Sequence, residues 1–232
     1  MASDFRPGSF QILPVIIKNL LIINGLVWLA QISVGKSLFS FENLFALHHP
    51  KSEFYHFWQI ITYMFLHSPS DFFHLLFNMF GLWMFGSTLE NLWGPGRFLV
   101  FYLICGFVAG LAHMGAITWE MVQVQHAAMA EQLNPEPYLR QVANVPMMGA
   151  SGGVMGVLAA FAYTFPNDRL FIFPIPFPIK VKWAILGLVA FDLFNGLTGR
   201  DPSVAHFAHL GGAAAGIILV MIWNKRNRRT FY

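Results

Sequence analysis

Residues 147–165 read MMGASGGVMGVLAAFAYTF and contain no charged side chain. About 20 apolar helical residues are needed to cross the hydrocarbon core of a bilayer, so this stretch predicts a membrane span. A serine flanked by glycines, Ser151, lies near its N-terminal end. The stretch therefore predicts a bundle of membrane helices that holds a polar group near one surface.

Similar apolar stretches recur along the whole chain. We predict six spans, at residues 14–34, 72–93, 98–117, 147–165, 179–198 and 203–223. The composition agrees, because 56% of the residues are hydrophobic and 11% are charged, against about 25% charged in soluble domains. The sequence thus predicts an all-α polytopic membrane protein and excludes large soluble domains.

The chain divides into three predicted parts. Residues 1–13 are a cytoplasmic N-terminal segment, residues 14–223 the six-span membrane domain, and residues 224–232 a basic cytoplasmic tail. No small-residue cleavage site follows the first apolar run, so we expect that run to be retained as a span. The basic cluster in the tail is typical of an anchor at the membrane surface, and we expect no nucleic-acid partner.

Three connections differ in character. Residues 35–70 are aromatic and rich in histidine, which predicts a structured loop at the membrane interface, where Trp and Tyr are favoured. Residues 120–145 are polar and predict an aqueous loop. Residues 173–178 read FPIPFP, and prolines at this density predict an extended connector.

Basic residues predict the orientation. Of the 14 Lys and Arg residues, the side of the termini holds Arg6, Lys18, Arg97, Arg169, Lys180, Lys182, Lys225, Arg226, Arg228 and Arg229, and the other side holds Lys36, Lys51, Arg140 and Arg200. By the positive-inside rule both termini are cytoplasmic. We expect a multi-pass protein of a bacterial inner membrane, in contact with membrane lipids.

Polar residues on spans two, four and six share one depth. Near the outer ends of these spans lie His74 and Asn78, Ser151, and His206 and His209. At about 1.5 Å rise per residue, His209 lies roughly 9 Å past Ser203, and Asn78 about 10 Å past Asp71. Polar groups at such a depth are costly unless they pair or meet water, which favours a functional site.

Ser151 and His209 are the predicted nucleophile and base. Ser151 lies where a loop enters a helix, a place that offers free N–H groups and the positive end of a helix dipole. If spans four and six pack through the faces Gly152-xxx-Gly156 and Gly212-xxx-Gly216, the hydroxyl comes within reach of the imidazole. The alternative is a packing serine, with a histidine that bonds a carbonyl or Asp192.

His74 and Asn78 lie one helical turn apart and can both donate hydrogen bonds. We predict that they stabilise an oxyanion, together with the backbone at Gly149. The alternative is a buried polar pair that holds span two to the bundle.

Three segments on alternate spans carry a resemblance: His74-Leu-Leu-Phe-Asn78, Gly149-Ala150-Ser151-Gly152 and Ala208-His209-Leu210-Gly211-Gly212. In this order they resemble the rhomboid family of intramembrane serine proteases. Further similarity lies at Trp58, Phe65-Leu66-His67, Gly86-Ser87-Thr88-Leu89-Glu90 and Pro176-Phe177-Pro178-Ile179-Lys180.

The resemblance implies a six-transmembrane-helix rhomboid-like bundle with a long interfacial first loop. It also implies a Ser–His dyad without a third acid, an oxyanion hole from the Ser151 amide with His74 and Asn78, and a water-filled cavity that opens outward. Substrates would be transmembrane proteins cut near the outer interface, without a cofactor. We then expect activity to fall in acid, because His209 must be neutral to accept the serine proton.

Two positions depart from the family pattern. Many relatives have Trp-Arg where this chain has Trp58-Gln59, and an aromatic residue where this chain has Met155. The second change removes a ring that would pack on the catalytic histidine, although a thioether can still contact an imidazole.

Other functions remain open at this level. One is a binding protein of the same fold without catalysis, and another is a small transporter, which would spread polar groups through the whole membrane thickness. A metal protease is not expected, because the nine histidines include no His-Glu-x-x-His motif. Asp192 could pair with Arg200, orient a histidine or bind water, and the sequence leaves the oligomeric state open.

Overall fold

The computed structural model describes residues 10–34, 40–171, 176–199 and 205–228. In these ranges the elements are α1 (Val15–Val34), α2 (Phe41–Phe45), α3 (Gln59–Thr62), a 3₁₀ turn (Tyr63–Phe65), α4 (Phe72–Trp93), α5 (Pro95–Ala130), α6 (Glu136–Ala143), α7 (Ser151–Thr164), β1 (Arg169–Leu170), β2 (Ile179–Lys180), α8 (Val181–Thr198) and α9 (His206–Arg228). The predicted all-α class is confirmed.

Five helices are long and apolar enough to cross a membrane: α1, α4, α5, α8 and α9. Large apolar side chains on these helices point outward, and Phe77 and Leu197 are 67% and 71% exposed. Water would penalise such exposure, whereas lipid would not. The sixth apolar helix is α7, which has 14 residues, so the chain is a polytopic membrane bundle with a short helix among longer ones.

Helix α7 begins four residues later than the predicted span of 147–165. The chain before it is extended, because the backbones of Leu47 and Met147 exchange two hydrogen bonds of 2.8 Å. Gly149 then adopts a φ of +134°, which a helix cannot contain. Fourteen residues span about 21 Å, less than the roughly 30 Å of a hydrocarbon core. Ser151 therefore begins a helix that stops short of one membrane surface.

Helix α5 corrects two predictions at once. It has 36 residues, about 54 Å, so it extends well beyond the predicted span of 98–117. The predicted loop of 120–145 is instead the end of α5 followed by α6. Residues 116–134 contain neither Gly nor Pro and are rich in Ala, Gln and Met, which favour helix. The polar composition indicates an aqueous surface and does not exclude a helix there.

The predicted glycine faces bring α7 and α9 into backbone contact. A Cβ at Gly212 would collide with the carbonyl of Gly152, and one at Gly216 with the carbonyl of Gly156. Helix α7 also packs on α5 and α4. Helix α8 lies at the edge of the bundle and buries four residues: Val181, Ile185, Asp192 and Asn195. The short helix is thus central, and its first turn is surrounded by protein.

The described part of the first loop, residues 40–70, is structured, as predicted. Gln59 is fully buried there. Its amide nitrogen donates to the carbonyls of Asn43 (2.9 Å) and Phe54 (2.8 Å), and its oxygen accepts from the His48 amide (3.3 Å). Gln59 therefore holds three backbone segments of the loop together.

Glu90, at the end of α4, holds the start of α1. Its two carboxylate oxygens accept the amides of Ile16 and Ile17, each at 2.9 Å. These amides are among the first four of α1, which have no partner within the helix. A carboxylate at this position also interacts favourably with the positive end of the helix dipole.

The connector between α7 and α8 is flanked by β1 and β2, which pair antiparallel with Arg169 opposite Lys180. Pro176 and Phe177 form a bend, whereas residues 172–175 lie outside the described ranges. Several basic residues used for the orientation also lie outside them: Arg6, Lys36, Arg200 and Arg229.

Candidate active site

Ser151 and His209 meet at the start of the two helices that pack most closely. Ser151 is the first residue of α7, and His209 lies in the first turn of α9. The distance between Ser151 Oγ and His209 Nε2 is 2.9 Å. The backbone contact between Gly152 and Gly212 makes this approach possible. The hydroxyl and the imidazole are thus placed as a nucleophile and its base must be.

The loop before Ser151 is shaped by Gly149. Its amide donates to the carbonyl of Tyr63 (3.0 Å), so this N–H is already engaged. A Cβ at Gly149 would lie 3.0 Å from Nε2 of His74. Glycine is therefore required here for its positive φ and for the close approach of the His74 ring. The Gly149 amide is thus not a free donor for the predicted oxyanion site.

His67 supports the same loop, a role that sequence reasoning missed. The ring is fully buried, and Nε2 accepts from the amide of Ala150 at 3.4 Å. It also lies against the ring of His74, with centroids 5.1 Å apart. Burial, with a smaller effect of His74, lowers the pKa of His67 to about 3, so the ring stays neutral and can accept. The feature of the sequence that could have indicated this role is the position of His67 in the segment Phe65-Leu66-His67, which resembles the family.

Several hydrogen-bond donors lie on the elements that meet at Ser151. Within the described residues, the amides of Ser151, Gly152 and Gly153 have no acceptor, as expected at a helix N-terminus. His74 borders the serine loop from α4, whose N-cap Asp71 accepts the His74 amide at 3.1 Å. Asn78 is buried one turn further, and its Nδ2 donates to the carbonyl of His74 at 2.8 Å. The second hydrogen of this Nδ2 group has no acceptor among the described residues.

Asp192, on α8, contacts two histidines of α9. Its Oδ1 lies 2.7 Å from Nδ1 of His206 and 3.1 Å from Nδ1 of His209. Asp192 and His206 are almost completely buried, and the His209 side chain is 18% exposed. Of the three roles that the sequence left open, the described residues show the contact with histidine. Arg200 lies outside the described residues.

The same three residues could also be read as ligands of a cation, because their donor atoms lie within 4.8 Å of one another.

Met155, the second departure from the family pattern, is buried in a small apolar cluster with Ala159 and Ala213 between α7 and α9. It therefore fills space behind the first turns of these helices.

The fold and the site together define a class: a polytopic membrane protein with a Ser–His pair at the start of a short central helix. Comparison with known proteins agrees. The family model for the Rhomboid domain matches residues 55–226. The match covers most of the chain and contains both residues of the pair, so this chain belongs to the rhomboid family.

Relatives are found in fungi, animals and plants. The chain is 32% identical over 152 residues to Rhomboid protein 1, mitochondrial, of Saccharomyces cerevisiae, covering 65% of this chain and 38% of that protein. It is 31% identical over 163 residues to human Presenilin-associated rhomboid-like protein, mitochondrial (66% and 36%). It is 29% identical over 161 residues to RHOMBOID-like protein 12, mitochondrial, of Arabidopsis thaliana (68% and 44%). The matches cover less than half of these relatives.

Proposed function

We propose that this chain is an intramembrane serine endopeptidase that cleaves transmembrane proteins near the outer membrane interface. The observation that carries the proposal is the 2.9 Å contact between Ser151 Oγ and His209 Nε2. Membership of the rhomboid family supports it. A transporter would not need an imidazole placed on a serine hydroxyl, and a binding protein without catalysis would not need it either.

The chemistry follows from the placement of the groups. His209 Nε2 takes the proton as Ser151 Oγ attacks the scissile carbonyl, and the imidazolium then protonates the leaving amine. Water attacks the resulting acyl-enzyme by the reverse sequence, with His209 again as base. The developing oxyanion is stabilised by the Ser151 amide and by the side chains of His74 and Asn78.

The position of Ser151 supports the proposed substrate class. If the inner end of α7, which is followed by Asp168 and Arg169, lies at the inner surface, its length of about 21 Å leaves Ser151 roughly 9 Å below the outer surface. A peptide bond reaching that depth belongs to a segment that itself enters the membrane. A peptide in a helix has its backbone bonded internally, so the substrate must unwind locally before it is cut.

The membrane and the orientation are part of the proposal. We propose that residues 14–223 form the membrane domain, with both termini and the basic tail 224–232 on the cytoplasmic side of a bacterial inner membrane. The relatives compared above are named as mitochondrial proteins. Cell fractionation and reporter fusions to the C-terminus in the source organism test this point. A periplasmic C-terminus would overturn the orientation.

The test is cleavage of a tagged single-span protein by purified enzyme in detergent. We expect Ser151→Ala and His209→Ala each to lower kcat by about 10³-fold or more. Matched controls are Ser87→Ala, which removes a buried hydroxyl without a described partner, and His126→Ala, which removes an exposed imidazole. Both controls should cleave at the native rate.

Two results would contradict the proposal. If Ser151→Ala cleaves as fast as the native chain at equal folding, Ser151 is not the nucleophile. If the native chain binds a panel of membrane segments and cleaves none of them, the chain is a binding protein of the same fold.

A further inference from the structure

We propose that Asp192 is a positioning residue for the reaction, which fixes the proton of His209 on Nδ1, and that His206 holds Asp192 in place. The proposal rests on the proposed function, because it concerns the base of that reaction. It differs from the expectation of a dyad without a third acid. The three contacts that carry it join α7, α8 and α9.

The direction of the hydrogen bonds follows from the acceptor. An ionised carboxylate can only accept, so His209 must carry its proton on Nδ1 to bond Asp192 Oδ1 at 3.1 Å. A neutral imidazole then has its lone pair on Nε2, the atom 2.9 Å from Ser151 Oγ. This tautomer can accept the serine proton, whereas the opposite tautomer would point an N–H at the hydroxyl.

His206 stabilises the carboxylate from the same helix as His209. The two histidines are three residues apart and therefore lie on one face of α9. Nδ1 of His206 donates to the same oxygen, Asp192 Oδ1, at the shorter distance of 2.7 Å. Both partners of this contact are about 5% exposed or less. Two donors on one oxygen fix the position of the carboxylate more firmly than His209 alone would.

The carboxylate also helps during the reaction. When His209 takes the serine proton it becomes a cation, and the nearest opposite charge among the described residues is Asp192. Charges interact strongly where water is largely excluded, so the pair forms at lower cost than an isolated imidazolium would. His74, on the other side of the serine loop, is a further titratable group that interacts with His209.

A cation site explains the cluster less well. Two ligands of a tetrahedral zinc ion, each about 2.1 Å from the metal, are about 3.4 Å apart. The separation between His206 Nδ1 and Asp192 Oδ1 is 2.7 Å, which suits a proton between the two atoms and not a shared metal. His209 Nδ1 and Asp192 Oδ1, 3.1 Å apart, are also within hydrogen-bond distance of each other.

Asp192 contacts His209, whereas Asn195, a nearby polar residue on α8, does not. Asn195 is also buried, one turn further along the same helix, but its Nδ2 donates to the carbonyl of Phe191 within α8. Replacing Asn195 therefore changes a buried polar group of α8 without changing a contact to His209. It provides a matched control for Asp192.

The kinetic test uses Asp192→Asn, which keeps the shape of the side chain and loses its charge. The amide can donate to Nδ1 and so favours the wrong tautomer of His209. We expect kcat to fall about 100-fold or more, with KM within twofold, and Asn195→Ala to stay within threefold of native. We expect His206→Gln to lower kcat about fivefold. In a His209→Ala background, Asp192→Asn should cause no further loss, because the two residues act as a unit.

The spectroscopic test does not depend on activity. Histidine labelled with ¹⁵N in the ring is placed in the Ser151→Ala protein, and the His209 signals are assigned by their loss in His209→Gln. We expect a directly bonded proton on Nδ1 of His209 and none on Nε2. In Asp192→Asn the proton should move, at least in part, to Nε2.

The outcomes separate this proposal from the proposed function. If His209 carries its proton on Nε2 while Asp192 is present, or if Asp192→Asn keeps kcat within threefold of native, the positioning role is wrong and the dyad stands. If the native chain cleaves nothing, the proposed function fails. The spectroscopic test of which ring nitrogen of His209 carries the proton then still decides whether Asp192 fixes that proton on Nδ1.

Discussion

The substitution Gly212→Ala tests whether the backbone contact between α7 and α9 sets the geometry of the dyad. A Cβ at position 212 would collide with the carbonyl of Gly152, the residue that follows Ser151. The obstacle is backbone and cannot rotate away, so the two helices must separate. His209 lies one turn before Gly212 on α9 and would move with it.

The expected magnitude follows from the contact distances. A Cβ normally approaches a carbonyl oxygen to about 3.4 Å, so the helices must separate by about 1 Å or more. A shift of that size lengthens the contact between Ser151 Oγ and His209 Nε2 from 2.9 Å to beyond hydrogen-bond distance. Misplacement of reacting groups by about 1 Å can cost about 100-fold in rate. Overpacking also lowers the free energy of unfolding by about 1–3 kcal/mol.

The assay measures kcat for a single-span substrate together with the thermal midpoint in the same detergent. Gly216→Ala makes the same collision with Gly156 two turns from His209, so it should cost similar stability and less activity. Gly187→Ala, which meets nothing within 4 Å, is the control and should keep both values or gain slightly in stability. Native kcat and an unchanged midpoint in Gly212→Ala would refute the reasoning.

Three further predictions concern the surroundings of the site. Gln59→Leu should lower the free energy of unfolding by about 2–5 kcal/mol, because it leaves one buried and two part-buried backbone groups without the partners they have in the native chain, and an unchanged thermal midpoint would contradict this. Glu90→Gln should cost about 1–3 kcal/mol through the loss of one acceptor and of the charge at the start of α1, measured in the same way. His67→Gln should make the stability of the protein less sensitive to acid. The pKa of His67 is about 3 in the folded chain and about 6.5 in the unfolded chain, so the unfolded state binds the proton first as the pH falls. The native chain therefore loses stability below about pH 6.5, by about 3 kcal/mol at pH 4. Thermal midpoints at pH 7 and pH 4 that fall equally in both proteins would show that His67 does not contribute.

Much of the fold could be predicted from the sequence because the bilayer imposes a strong constraint. A span must be apolar over about 20 residues, and the predicted span of 72–93 coincides with α4. The late start of α7 could not be predicted from hydropathy. It depends on the pairing of Met147 with Leu47, a residue one hundred positions away in the chain.

The candidate site was predictable where it follows from depth along parallel helices. The helical rise per residue predicts Ser151 and His209 in one layer, and the glycine faces predict their close approach. The contact of Asp192 with both histidines depends on the rotation of α8 against α9, and hydrophobic periodicity leaves that rotation undetermined. The role of Gln59 was hidden for a similar reason, since its three partners come from separate segments of the loop.

The most direct test of the central claim is covalent labelling of Ser151 by a fluorophosphonate, followed by mass mapping of the labelled peptide. Only an activated serine reacts at an appreciable rate, so the label reports on the nucleophile and its base without requiring a known substrate. We predict an adduct on Ser151 in the native chain and a labelling rate at least about 100-fold lower in His209→Ala. Labelling of a different residue, or of Ser151 at the native rate in His209→Ala, would contradict the account.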